Sequence, residues 1–315
     1  MQSSQFFNIE EYRYDTPWQA KARKHQSDFR EIEMKVSAVP NTGRSGCYGN
    51  VISAEDGARG VNFYQPFRKE IKQDLNGKTG AILTNVLRSE HIPYNIFFPM
   101  RHDLQKTAML FRTLTCKDVA SVENIMIEYA PFPREEYLDD LTSFDVYVDY
   151  KDSDGARCGI GIEVKYTEQG YPIGKGEELK ISDRNSTYCR VTRESGCYDY
   201  GGICEEVFIE RNFGKHSRGN DLRQLWRNHI LGLSMLQHKD GIKDFLSVHL
   251  YPSFNEHFNP NTSTVLADYT ALLNDKGRKT FLPMTYECLF NGMTKCGMGE
   301  MDEGWIPYLT RRYII

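Results

Sequence analysis

The amino-acid sequence predicts an α/β (α+β) protein with a central mixed sheet of four to five strands flanked by helices. Three observations carry that expectation. The segments NIMIEYAPF (124–132), FDVYVDY (144–150) and CGIGIEVKY (158–166) alternate apolar and polar residues at the period of two that marks a strand. Downstream, NDLRQLWRNHILGLSMLQHKDG spaces Leu222, Leu225, Trp226, Ile230 and Leu233 for one face of a helix, with Gly241 past its end. The run DFLSVHLYP (244–252) then reads as a further strand that Pro252 ends, and the order of helix, strand, hairpin, helix and strand describes a mixed sheet between helices.

In chain order, the segment to about residue 40 reads as helical, with Trp18, Phe29, Ile32 and Val36 forming an apolar stripe beside the basic run at 21–24. Residues 41–50 are a loop. From Thr79 a helix is expected through Ile82, Val86 and Leu87 to about His91, after which Pro93 stops it and residues 92–99 are extended. A second helix is expected over 104–114. The KDSDGA sequence after Tyr150 places Asp and Gly where a hairpin turn needs them. Residues 167–218 are rich in Gly, Ser, Tyr and charge without a clear period and are expected to form an irregular insertion.

Composition narrows the function classes. With 315 residues, 40% hydrophobic and 26% charged, the chain has the makeup of a globular protein able to bury a core without staples. No apolar run approaches the roughly 18 residues of a membrane helix, and the first fifteen residues lack a leader's basic and apolar regions, so no membrane association and a cytoplasmic location are expected. The eight cysteines lie without a close pair, which speaks against a disulfide framework. Cys189, Cys197, Cys204 and His216 are too loosely spaced to read as a zinc site. A net charge of −4 excludes a protein that coats nucleic acid by charge alone. Residues 101–180 carry 10 basic and 16 acidic groups, so the deficit sits in the middle of the chain, either as a solvated face or as a site that holds cations.

The hairpin concentrates the chemistry. A turn centred on Asp154 sets Tyr150 against Cys158 and Asp145 against Glu163. Cys158, Ile160, Ile162, Val164 and Tyr166 then share one face, while Gly159, Gly161, Glu163 and Lys165 share the other. Cross-strand partners lie about 4.5–5.5 Å apart at Cβ, close enough for Asp145 and Glu163 to share a divalent cation. Mg²⁺, with Mn²⁺ as a substitute, suits two carboxylates completed by waters and phosphate oxygens, and Lys165 could hold a water or phosphate oxygen beside it. The two glycines are expected to leave room for a substrate backbone. Glu-x-Lys by itself carries almost no information, and a surface ion pair worth about 0–1 kcal/mol would explain it as well. Its placement on an apolar hairpin strand is what distinguishes it.

At these residues the sequence resembles the PD-(D/E)XK nuclease superfamily, the restriction-endonuclease-like fold. The matching elements are SFDVYVDY (143–150) and GIEVKY (161–166), followed by the expected helix and strand, so that the resemblance is centred on 120–166 and extends over 79–251. Ser143 and Phe144 stand where the name-giving proline would be. The resemblance implies an αβββαβ core with N- and C-terminal additions. It places the metal-binding Asp at Asp145, the second acidic ligand at Glu163, a backbone ligand at the Val164 carbonyl and the catalytic Lys at Lys165. It also offers Glu90, ahead of Glu70, as an added upstream carboxylate, and Gln224 on the downstream helix as a residue touching substrate or water. Asn228 lies one turn from Gln224, and Arg223 and Arg227, which flank the two, are candidates for substrate binding.

The expected activity is Mg²⁺-dependent hydrolysis of nucleic-acid phosphodiesters, with DNA favoured as the partner and endonucleolytic action favoured; a homodimer could form. Two other classes stay open: a nuclease-like fold that binds nucleic acid or protein without cutting, and a hydrolase using Asp145 and Glu163 as an acid/base pair. The expected organisation is a helical and looped extension over 1–78, a core over 79–252 carrying the insertion at about 167–218, and an extension over 253–315 packed on that core. The sequences GKT at 77–79 and GIG at 159–161 lack the remaining glycines of nucleotide-binding loops.

Overall fold

A computed structural model of the protein describes residues 11–41, 46–169, 173–215, 220–239 and 241–315. His216 of the loose zinc set lies outside them. The strands β1 (Ser121–Tyr129), β2 (Phe144–Lys151), β3 (Arg157–Val164), β4 (Asp244–Tyr251) and β5 (Phe281–Thr285) form one sheet in the order β1-β2-β3-β4-β5. The first three are antiparallel, and β3, β4 and β5 run parallel. The β2–β3 ladder extends from Lys151–Arg157 to Val146–Ile162, which is the register the turn at Asp154 predicts. In the parallel half Glu163 stands beside His249. β5 was not foreseen as a strand, because it is short and carries Pro283, a residue that an edge strand tolerates.

The helices used below are α1 (Pro17–Phe29), α2 (Leu104–Thr115), α3 (Lys175–Ser182), α4 (Thr187–Ser195), α5 (Glu205–Phe213), α6 (Asn220–Gln237), α7 (Tyr286–Lys295) and α8 (Trp305–Tyr313). One face of the sheet, with Val146, Val148, Ile160, Ile162, Val164 and Tyr166, packs on Trp18 and Ala22 of α1, Leu110 and Phe111 of α2, and Trp305, Leu309 and Tyr313 of α8. The other face, expected to be polar, is covered as well. Phe144, Tyr147 and Phe245 there meet Val191 of α4, Phe208 and Phe213 of α5, and Trp226 and Ile230 of α6. The Trp226 ring stacks on Phe213 at 4.2 Å between centroids, and its Nε1 donates to Thr192 Oγ1 at 3.1 Å, which fixes α6 against the helices before it.

Three local expectations are corrected. The helix from Thr79 to His91 breaks: only Ala81–Thr84 is α-helical, and Asn85 leaves helical space at φ −105°, ψ 107°. The Asn85 Oδ1 there accepts the Leu87 N–H at 3.1 Å, the local side-chain bond by which asparagine competes with a helix. Residues 92–96 are helical rather than extended, since Pro93 sits in the first turn, where its missing N–H costs nothing. The stretch 167–218 holds three helices, α3 to α5, where an irregular insertion was expected. In α4, Tyr188, Val191, Thr192 and Ser195 are buried at helical spacing, a period that its polar and charged composition hides.

Candidate active site

Asp145, Glu163 and Lys165 converge at the C-terminal end of β3. Asp145, one residue beyond the last ladder pair, turns its Oδ2 to accept the Val164 N–H at 2.7 Å. A strand residue directs its N–H and C=O to the same neighbour, so the Val164 carbonyl also leaves toward the Asp145 side. Glu163 and Lys165 are only 7% and 6% exposed, and the Lys165 Nζ donates to Glu163 Oε1 at 2.7 Å. From α6, Gln224 Nε2 donates to the same Oε1 and Asn228 Nδ2 to Oε2, each at 2.6 Å. These two residues lie one helical turn apart and so reach one carboxylate together.

The buried Glu163 and the half-buried Asp145 face one ammonium, and the electrostatics show the imbalance. Burial and the neighbouring Glu163 push the Asp145 carboxyl well above its ordinary value, against the opposing pull of Lys165 and the Val164 N–H. Burial by itself would lower the Lys165 ammonium, but Glu163 and Asp145 outweigh it and hold Lys165 above its ordinary value. Asp145 Oδ1 has no donor among the described residues. Among those residues no group of three or more His, Cys, Asp and Glu side chains could hold a metal ion. The donor set that is present, two carboxylates and a strand carbonyl with excess negative charge, is one that a hard divalent cation completes with waters and phosphate oxygens.

The surroundings differ from expectation at the two glycines and at three charged residues. Gly159 and Gly161 leave no room for a substrate backbone: a Cβ at Gly159 would lie 2.1 Å from Tyr147 Oη, and one at Gly161 2.5 Å from the Phe144 ring. The glycines admit aromatic side chains of β2 instead. Glu90 sits in a short turn at Ser89–His91, 40% exposed and paired with Arg88 at 2.6 Å, and the exposed Glu70 pairs with His102. The Arg223 side chain is fully buried, 3.9 Å from Glu177 of α3. Arg227 donates to Thr142 Oγ1 at 2.7 Å and faces Asp140 and Glu177. Of the residues singled out from sequence, the structure thus gathers Asp145, Glu163, Val164, Lys165 and Gln224, and engages Glu90, Arg223 and Arg227 elsewhere.

Other residues around this site carry no sequence signal, because distant segments supply them. The Lys165 carbonyl accepts from Tyr286 Oη at 2.7 Å; the Tyr166 carbonyl accepts from Trp18 Nε1 at 3.0 Å and Asn255 Nδ2 at 2.9 Å; the Thr167 carbonyl accepts from Gln19 Nε2 at 3.0 Å. Glu168 closes the turn, with Oε2 accepting the Tyr166 and Thr167 N–H groups and Oε1 the Ser89 N–H. Beside Glu163, His249 is buried with its Nε2 unpartnered among the described residues, and burial and the Lys165 charge hold it neutral.

A family profile described as the PD-(D/E)XK nuclease superfamily matches residues 13–315. No curated protein and no solved structure gives a significant match. A match over nearly the whole chain agrees with the mixed sheet and with two carboxylates and a lysine meeting at the end of β3: the chain belongs to the PD-(D/E)XK nuclease superfamily.

Proposed function

We propose that the protein is a divalent-metal-dependent nuclease, Mg²⁺ being the natural ion, that hydrolyses phosphodiester bonds of DNA endonucleolytically. The observation that carries the reading is the convergence of the half-buried Asp145 with the buried Glu163 and Lys165, with Lys165 Nζ 2.7 Å from Glu163 Oε1. Asp145, Glu163 and the Val164 carbonyl are the groups that would hold the cation. When bound, such an ion lowers the pKa of a water and polarises the phosphoryl oxygens. Lys165 orients the attacking water and offsets the charge that builds on phosphorus, for which its Nζ exchanges Glu163 for the substrate. Gln224 and Asn228 keep Glu163 in place during that exchange, since each bonds it independently of Lys165.

The test is cleavage of plasmid, single-stranded DNA and RNA by the protein, with Mg²⁺ or with EDTA. Cutting that requires the metal is expected, and Lys165→Ala is expected to lower the rate at least about a hundredfold while the thermal transition persists. An unchanged rate in that variant would sink the assignment.

A further inference from the structure

A cleft of about 680 Å³ opens beside the C-terminal end of β3, and Thr167 and Glu168, just past Lys165, form part of its wall. We propose that this cleft takes one unpaired nucleobase of the substrate, next to the phosphate that Lys165 faces; the inference thus rests on the nuclease reading. Its size is that of a pocket for a small organic group, too small for a duplex, so the base has to be single-stranded or turned out of its stack.

Charge and hydrogen bonding select a base over a phosphate. The charged residues of the lining are Arg23, Arg88, Asp15 and Glu168, which cancel. Arg23 is moreover spent, donating to both carboxylate oxygens of Asp15 at 2.5 and 2.9 Å. Its Nη1 continues to Asn50 Oδ1 at 2.7 Å, and Asn50 Nδ2 donates to Asn85 Oδ1 at 2.9 Å. Since Asn85 Oδ1 also accepts the Leu87 N–H, this chain of bonds settles how the amide is turned and leaves the Asn85 Nδ2 donor without an acceptor among the described residues. Asn41 supplies the opposite: its Oδ1 is shielded from solvent and has no donor among those residues. The Asn85 donor, and the Asn41 acceptor once its side chain turns toward the cleft, complement the edge of a nucleobase, and Tyr12 and Tyr14, packed edge to face at 5.5 Å, add an aromatic wall for stacking. Glu168 bolts this cleft to the strand exit, because it ties Ser89, beside Arg88, to Tyr166 and Thr167.

Two variants test the assignment. Asn85→Asp keeps the acceptor that Leu87 and Asn50 use and deletes the free donor; Asn41→Ala removes an acceptor that no described protein group uses. Binding of the full chain to labelled 12-residue oligo-dA, oligo-dC and oligo-dT, matched oligo-rA and a blunt duplex is read by fluorescence anisotropy in EDTA. The wild type is expected to bind its preferred single strand more tightly than the duplex. Each variant is expected to lose about fivefold or more for that strand, with a changed ranking of bases, and the DNA and RNA arms tell which sugar the site accepts. The negative charge that Asn85→Asp introduces weakens every oligonucleotide alike, so only a changed ranking counts in favour. Unchanged ranking in both variants at unchanged melting temperature overturns the base site, as does a duplex bound as tightly as the single strands. Cleavage of the same strands with Mg²⁺ is scored separately: cleavage without a ranking change removes the cleft alone, and a ranking change without cleavage removes the nuclease reading.

Discussion

Glu163 shows how much of the site a single side chain organises. Three donors from two elements converge on its two oxygens, so each controls where the carboxylate points. Asn228→Ala frees Oε2 and is expected to weaken Mg²⁺ binding about ten- to a hundredfold by isothermal titration, the usual cost of losing a group that orients a ligand. Unaltered affinity would show that Gln224 suffices. Asp145, Glu163 and Lys165 were legible from sequence because the period of two in a strand and the turn at Asp154 set their register by counting alone. Glu168 and His249 were not: one is a backbone clip whose role appears only when the Ser89 turn comes near, and the other depends on β4 lying beside β3. The two glycines were misread for a related reason, since sequence does not reveal that Tyr147 and Phe144 lie over them.

Among the elements, α6 links the apolar core to Gln224 and Asn228. It approaches β4 so closely that a Cβ at Gly232 would fall 1.9 Å from the Phe245 ring. Gly232→Ala is therefore expected to destabilise the fold by about 1–3 kcal/mol in chemical denaturation, although alanine is the better helix former, and to be relieved in part by a second change, Phe245→Leu. A gain in stability would mean that α6 can move away freely. Strong apolar periodicity made α2, α6 and β1 to β4 legible. The segment after Thr79 misled because Asn85 prefers its own local hydrogen bonds, and α3 to α5 were hidden because helices covering an already packed layer need only a few buried positions, such as Tyr188 and Val191.

On the scale of the whole molecule, stability depends on pH through buried imidazoles. His229 is enclosed between Tyr269 Oη at 2.9 Å and Thr280 Oγ1 at 2.8 Å, and burial lowers it to about 3. Burial, together with the Arg312 charge, also pushes His91 well below its ordinary value. Such groups take up protons on unfolding, so their contribution is fully present above about pH 6.5 and declines as pH falls toward the folded values, by up to about 1.4 kcal/mol per pH unit for each histidine. Urea denaturation is expected to show falling stability from pH 7.5 to 5, with a shallower dependence in His229→Gln; a flat wild-type profile would contradict this. The clasp around the exit of β3 bears on the order of synthesis. Its pins come from Trp18 and Gln19 on one side and from Asn255 and Tyr286 on the other, while Tyr313 closes the layer beneath Tyr166. A nascent chain that has emerged only as far as Lys165 already carries Asp145, Glu163 and Lys165 together with Trp18 and Gln19, but not Asn255 or Tyr286, so the clasp closes only after more than a hundred further residues have left the ribosome.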